Sequence, residues 1–177
     1  MRALLTLILA LGAALPLHAA PEAQFSQAFG LFQQARSGQE NRIEPAIAAF
    51  DALAKAEPAH PVFAAYLGSA ISLKARAAWM PWNKMKFSEE GLDHVDRALA
   101  SLKPEHDRLL LRGVPLSLET RLVAANLFLA LPDGIFHRRA SGRKLLDAML
   151  KDPALASAPE PFRASVQRTV AQAAENK

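Results

Sequence analysis

Apolar residues recur at intervals of three and four along almost the whole chain, the spacing of one buried helix face. Phe25, Ala28, Phe29 and Phe32 form the first such stripe and predict a helix over 22–36, closed by Ser37-Gly38. Ala46, Ile47, Phe50, Leu53 and Ala54 mark a second, opened by Pro45 and stopped by Pro58. Pro61 opens a third that carries Tyr66, Leu67, Ala70 and Ile71 toward Trp79. A fourth runs over 81–102 through Trp82, Met85, Leu92, Val95, Leu99 and Leu102, with a weak middle at 88–91. Proline suits these openings because the first turn of a helix has no use for its missing N–H. Two further helical pieces are expected at 104–112 and 115–131, broken at Gly113. A turn at Asp133-Gly134 and helices over 140–151 and 160–175 follow. No segment alternates in the manner of a half-buried strand, and the abundance of Ala, Leu, Arg, Lys and Glu favours helix. The expected fold is all-α.

Alignment of the helix ends on their prolines brings out an internal repeat. Ala46, Phe50, Leu53 and Pro58 match Gly91, Val95, Ala98 and Pro104, and then Ser141, Leu145, Ala148 and Pro153. Each copy has a small residue, a bulky one four later, an Ala or Leu three later and a closing proline. A small side chain lets a neighbouring backbone approach, the bulky one fills the remaining gap, and proline turns the chain into the next helix. Ala46 is therefore expected to be buried. Ala48, two positions on and about 200° around the helix, is expected to face outward.

The stretch "AIAAFDALAKAEP" at 46–58 resembles the second helix of a tetratricopeptide (TPR) repeat, and "YLGSA" at 66–70 resembles the Leu-Gly step of its first. The resemblance covers most of 22–153 with a longer period than the family's, Leu53 where Ala is usual, and inserts in the second and third copies. It implies a TPR-like array of antiparallel helix pairs, an α-solenoid, with the final helix as a C-terminal cap over an apolar face that has no successor. It also implies a concave groove lined by the first helix of each pair, which holds a partner's peptide. On that helix Ser69, Ser72 and Arg76 lie off the Leu67–Ile71 core face and become the expected contacts.

Compartment is read from the first residues. A positive start at Arg2, an apolar run over 3–17 and small residues at Ala19 and Ala20 have the three-part order of a secretory signal peptide, with cleavage expected after Ala19. The run is shorter than the roughly 20 residues of a spanning helix. Residues 20–177 then form one domain, periplasmic or secreted, with no transmembrane segment. The chain has no cysteine, so its core alone must hold it together. Loss of Arg2 lowers the formal net charge of +4 by one. This mild, interspersed excess makes nucleic acid a poor partner.

Three clusters invite a chemical reading. "WMPWNKMKF" at 79–87 holds both tryptophans and two lysines. Large aromatics are mostly buried, so Trp79, Trp82, Met85 and Phe87 are expected to wedge between helices as core. The alternative is a partner or membrane contact through Trp79 and Trp82. "DHVD" at 93–96 and "EHD" at 105–107 lack the two-histidine spacing of a zinc site, and no metal is expected. "FHRRASGRK" at 136–144 is expected to be a solvated helix start, with Arg138 and Arg139 as the alternative grip on an acidic partner or lipid headgroups.

The chain has no cysteine nucleophile, Gly-x-Ser-x-Gly elbow, Gly-rich phosphate loop or His-Glu-x-x-His motif. Glu89 and Glu90 point about 100° apart on a helix and cannot pair as acid and base. The expectation is a protein–protein interaction or scaffolding module of the bacterial envelope, with no cofactor and no enzymatic activity. Its partner is another envelope protein or a peptide. The competing classes are a lipid- or small-ligand-binding helical domain and an envelope enzyme. A groove lined with polar and charged groups favours the interaction module, a closed apolar cavity the ligand-binding domain.

Overall fold

Every long helix expected from the apolar periodicity is present among residues 19–175, which the computed structural model describes. The leader expected over 1–19 lies outside the described residues apart from its last position. In chain order the helices are α1 (Ala19–Arg36), α2 (Ile43–Ala56), α3 (Pro61–Ala77), α4 (Pro81–Ala100), α5 (Leu116–Ala130), α6 (Asp133–Phe136), α7 (Arg139–Leu150), α8 (Pro153–Ser157) and α9 (Glu160–Glu175). The described residues are thus predominantly helical. Pro61, Pro81 and Pro153 stand in the first turns of α3, α4 and α8, where no hydrogen bond is lost. Pro45 falls one turn into α2, which starts earlier than its proline suggests.

Successive helices pack on one another: α1 on α2, α2 on α3, α3 on α4, α4 and α3 on α5, α5 on α7, and α9 over α5 and α7. Two helices are central. α3 is buried at all but one position from Pro61 to Ser72, and α5 is buried over most of its length. The first core lies among α1, α2 and α3, where Tyr66 stacks on Phe50 and meets Phe25, Phe29 and Phe32 edge-on, all with ring centroids 5.1–5.7 Å from its own. Burial of each such ring contributes about 1.5–3 kcal/mol, with an increment for edge-to-face geometry. A second core joins Leu118 and Leu122 of α5 to Leu146, Met149, Phe162 and Val166. A third lies between α4 and α5 around Val95, Ala124 and Phe128.

The tightest packing joins α3 to α4. A Cβ built on Gly68 would stand 2.5 Å from the Gly91 carbonyl oxygen, and one on Gly91 would stand 2.5 Å from the Gly68 carbonyl and clash with the Ser72 hydroxyl. Only glycine at both positions lets the two backbones meet. Lys74 lies over the ring of Phe87, so contacts earlier in α3 match later positions in α4 and the pair runs antiparallel.

The repeat register is right in the first two copies and shifted by one in the third. Ala46, Phe50 and Leu53 are buried, as are Gly91, Val95 and Ala98, and Ala48 is exposed. In α7, however, Ser141 and Ala148 are exposed, and Gly142, Leu146 and Met149 take the inward positions. Met149 stands four residues before its proline where Leu53 stands five before Pro58, and Asp152 caps α8 by accepting a hydrogen bond from the Ala154 N–H at 2.9 Å. The proline is therefore a poor ruler for the helix face.

The helix expected over 104–112 is absent. Pro104–Asp107 is a single 3₁₀ turn, and two short strands follow, β1 (Leu110–Leu111) and β2 (Val114–Pro115), paired antiparallel with Leu111 opposite Val114. Arg112 and Gly113 join them with φ of +51° and +76°. Two successive positive values are what a two-residue hairpin needs to match strand twist. Asp133-Gly134, expected as a turn, opens the short α6.

The Gly68–Gly91 crossing yields a matched pair of substitutions. Gly91→Ala should destabilise the chain by about 1–3 kcal/mol, because the backbone carbonyl of Gly68 cannot move aside. Gly30→Ala, in open space on α1, should instead raise stability by up to about 1 kcal/mol through helix propensity. Urea unfolding midpoints on opposite sides of wild type are expected. Equal midpoints would show that the crossing is not constrained.

Candidate functional site

Three places on the described residues combine polar chemistry with an unusual setting. One is sealed. Tyr66 of α3 donates its hydroxyl to Glu119 Oε1 of α5 at 2.5 Å, and Arg112 Nη2 reaches the same oxygen at 3.3 Å. The guanidinium lies 4.6 and 4.5 Å from the ring centroids of Phe25 and Phe29. Glu119 is 3% exposed and Tyr66 5%. Burial pushes the Glu119 carboxyl above its ordinary 4.5, against the opposing hydrogen bond from Tyr66 and the Arg112 charge. Burial, and then the neighbouring Glu119, raise the Tyr66 hydroxyl well above its usual value and keep it a donor. Glu119 Oε2 is buried with no hydrogen-bond partner among the described residues, so a charge there is only half compensated. The Arg112 backbone holds a left-handed conformation uncommon for a bulky residue, and its N–H donates to Glu22 of α1 at 3.2 Å. The hairpin thus ties α1, α3 and α5 at one point.

The second place is an open groove of about 300 Å³ across α2, α3 and α4. Leu67 and Ile71 of α3 form its floor, one helical turn apart. Ile47, Ala48 and Asp51 of α2 and Glu90 and His94 of α4 form its walls, and Lys74 bridges to Glu44 at 2.7 Å at one end. Burial, then the nearby Arg97, lower the His94 pKa. The groove is walled by α2 and α4 and floored by α3, on a different set of positions from those implied by the family resemblance. Ser69 and Ser72, expected to face a partner, are buried, and Ser72 packs against Gly91. Neither can meet a partner, because α3 is enclosed from Pro61 to Ser72 by its neighbours. Arg76 is exposed and donates to the Arg36 carbonyl at 3.3 Å.

The third place is the tip of the α3–α4 hairpin. Trp79 is 88% exposed and Trp82 66%, with Met80 beside them at 39%. The core role expected for both tryptophans is overturned. Residues 78–80 are a three-residue connection at the end of two long helices, and Trp82 sits in the first turn beyond it. Met85 and Phe87, deeper along α4, are half-buried.

Arg138 is drawn inward. It makes a two-pronged ion pair with Asp96, at 3.2 and 2.5 Å, and lies 5.2 Å from the centroid of Phe128. Arg139 is half-buried at the start of α7, its N–H donating to Asp133 at 2.8 Å. These two arginines therefore join α4, α6 and α7 and are not held out together toward a partner. Among the described residues no group of three or more His, Asp or Glu is placed to hold a metal ion, and no helix is long and apolar enough to cross a membrane.

Glu119 and Arg112 were not singled out by sequence. The available signal was a lone carboxylate inside "VPLSLETRLVAANLFLA", a run apolar on every face. A buried charge of that kind asks for a partner, but its partner Tyr66 is 53 residues away.

The raised Glu119 pKa sets a pH dependence. The folded chain holds this proton more tightly than the unfolded one, so the contribution is full below 4.5 and lost as pH rises through the folded value. His60 acts oppositely: burial, and then the charge of His106, lower it from 6.5 to about 4. Its contribution is present above 6.5 and lost as pH falls through about 4. Glu119→Gln removes only the first dependence. The urea midpoint of this variant relative to wild type should shift in the variant's favour as pH rises above 4.5. A constant difference would contradict a raised Glu119 pKa.

No known protein family, curated protein or solved structure matches this chain.

Proposed function

We propose that this chain is an exported, TPR-like helical-array protein of the bacterial envelope that binds a segment of a partner protein, as an interaction or scaffolding module and not as an enzyme. The open groove across α2, α3 and α4 carries the reading. Its apolar floor and charged walls suit an extended segment with one or two apolar side chains pointing down and polar neighbours along the rim. A volume of about 300 Å³ is at the lower end of small-molecule sites and fits a few side chains of a larger partner. Lys74 engages Glu44 and Lys55 engages Asp51, which leaves Glu90 as the wall carboxylate open to a basic residue of a partner segment.

Three buried series, each a small residue followed by a larger one four positions later, support the array. Ala46/Phe50/Leu53, Gly91/Val95/Ala98 and Gly142/Leu146/Met149 each face a preceding helix, and α9 lies over the last pair. Export rests on the leader pattern over 1–19. The buried group of Tyr66, Glu119 and Arg112 lines neither the groove nor the tip, so the groove reading does not draw on it.

Ala48 is the handle for a test, because it is exposed on the groove wall and away from the core. Ala48→Trp should fill the groove and lower capture of the partner from the envelope by at least about tenfold. The unfolding midpoint should stay within a few tenths of a kcal/mol of wild type. Undiminished capture by the filled groove would refute the site.

A further inference from the structure

Two tryptophans that stand free of their own fold call for an environment other than water. Trp79 and Trp82 flank Met80 and Pro81 at the turn of the α3–α4 hairpin, where Trp79, Met80 and Trp82 meet solvent within four residues. The surrounding charge is of one sign. From Ser72 to Ser88 the chain contains four cations and no carboxylate. Lys74 is withheld by Glu44, but Arg76, Lys84 and Lys86 are exposed. The hydrogen bond from Arg76 to the Arg36 carbonyl brings the last residue of α1, also exposed, to the same end.

We propose that this tip, Trp79, Met80 and Trp82 ringed by Arg76, Lys84 and Lys86, docks on the surface of an anionic lipid bilayer. Indole rings favour the zone between headgroups and acyl chains, because the ring is largely apolar and its N–H still needs a polar partner. Lysine and arginine stems can lie along the same apolar zone while their charged ends stay among phosphates. A short connection with two largely exposed rings suits insertion to a shallow depth. Charge complementarity therefore favours the membrane. The groove is built on other residues, so this inference does not depend on it.

The chain offers its own probe, since Trp79 and Trp82 are its only tryptophans. The protein as isolated from cells is titrated with vesicles of phosphatidylcholine, with or without about 30% phosphatidylglycerol, and tryptophan emission is followed. The anionic vesicles should shift emission to the blue, and brominated acyl chains should quench it. Lys84→Gln with Lys86→Gln should weaken the partitioning by roughly fivefold per lysine, and added salt should do the same. All four side chains changed or probed here, Trp79, Trp82, Lys84 and Lys86, are at the surface, and an unaltered circular dichroism spectrum checks that the fold is kept. No blue shift with either vesicle, or an equal shift with both, would overturn the proposal. So would emission that responds only when an acidic protein is added.

Discussion

The arrangement depends on the contact between the backbones of Gly68 and Gly91. Any side chain at either position would collide with a carbonyl oxygen of the other helix. Because neither residue has one, α3 and α4 approach until main chain meets main chain, and Ser72 fills the remaining space. This close approach lays α4 along α3 and leaves the 78–80 connection at the end of the pair, where Trp79 and Met80 are exposed. It also sets the spacing of α2 and α4 on either side of α3, so that Leu67 and Ile71 become the floor of a groove. Tip and groove are thus two consequences of one crossing. If the crossing opens, both lose their shape.

A second constraint ties the outer helices to this hairpin. Glu119 lies in a helix enclosed on nearly all sides, and its charge is costly there without compensation. Tyr66 and Arg112 supply part of it. Arg112 can do so only because the short hairpin holds it in a left-handed conformation, with its guanidinium over Phe25 and Phe29. The polar contact therefore fixes the relative positions of α1, α3 and α5 inside an otherwise apolar core. Hydrophobic burial supplies most of the stabilisation, and this cluster restricts which packing is adopted.

The sequence carried the helices clearly because their stripes are long, and a long stripe has one possible face. Ala46 and Ala48 are the simplest example, identical residues two apart and placed correctly inside and outside. Short segments were less legible. Leu109-Leu110-Leu111 reads equally as helix or strand, and only Gly113 hinted at the hairpin. The third repeat slipped by one because proline marks where a helix can end but says nothing about its rotation. Trp79 and Trp82 defied the rule that large rings are buried, since a three-residue connection leaves no neighbouring element over them. The Tyr66–Glu119 pairing required the fold itself, as nothing local links two residues on separate helices.

The central claim is that α3, clamped to α4 at Gly68 and Gly91, is the axis on which the rest is assembled. Hydrogen exchange followed by mass spectrometry tests it most directly, because it reads the opening free energy of each helix separately. Backbone amides around Gly68 and Gly91 should exchange only through global unfolding and be the slowest in the chain. Amides at the tip and in α9 should exchange sooner, through local opening. Faster exchange around Gly68 than in α9 would mean that the fold is organised elsewhere, and would contradict the account.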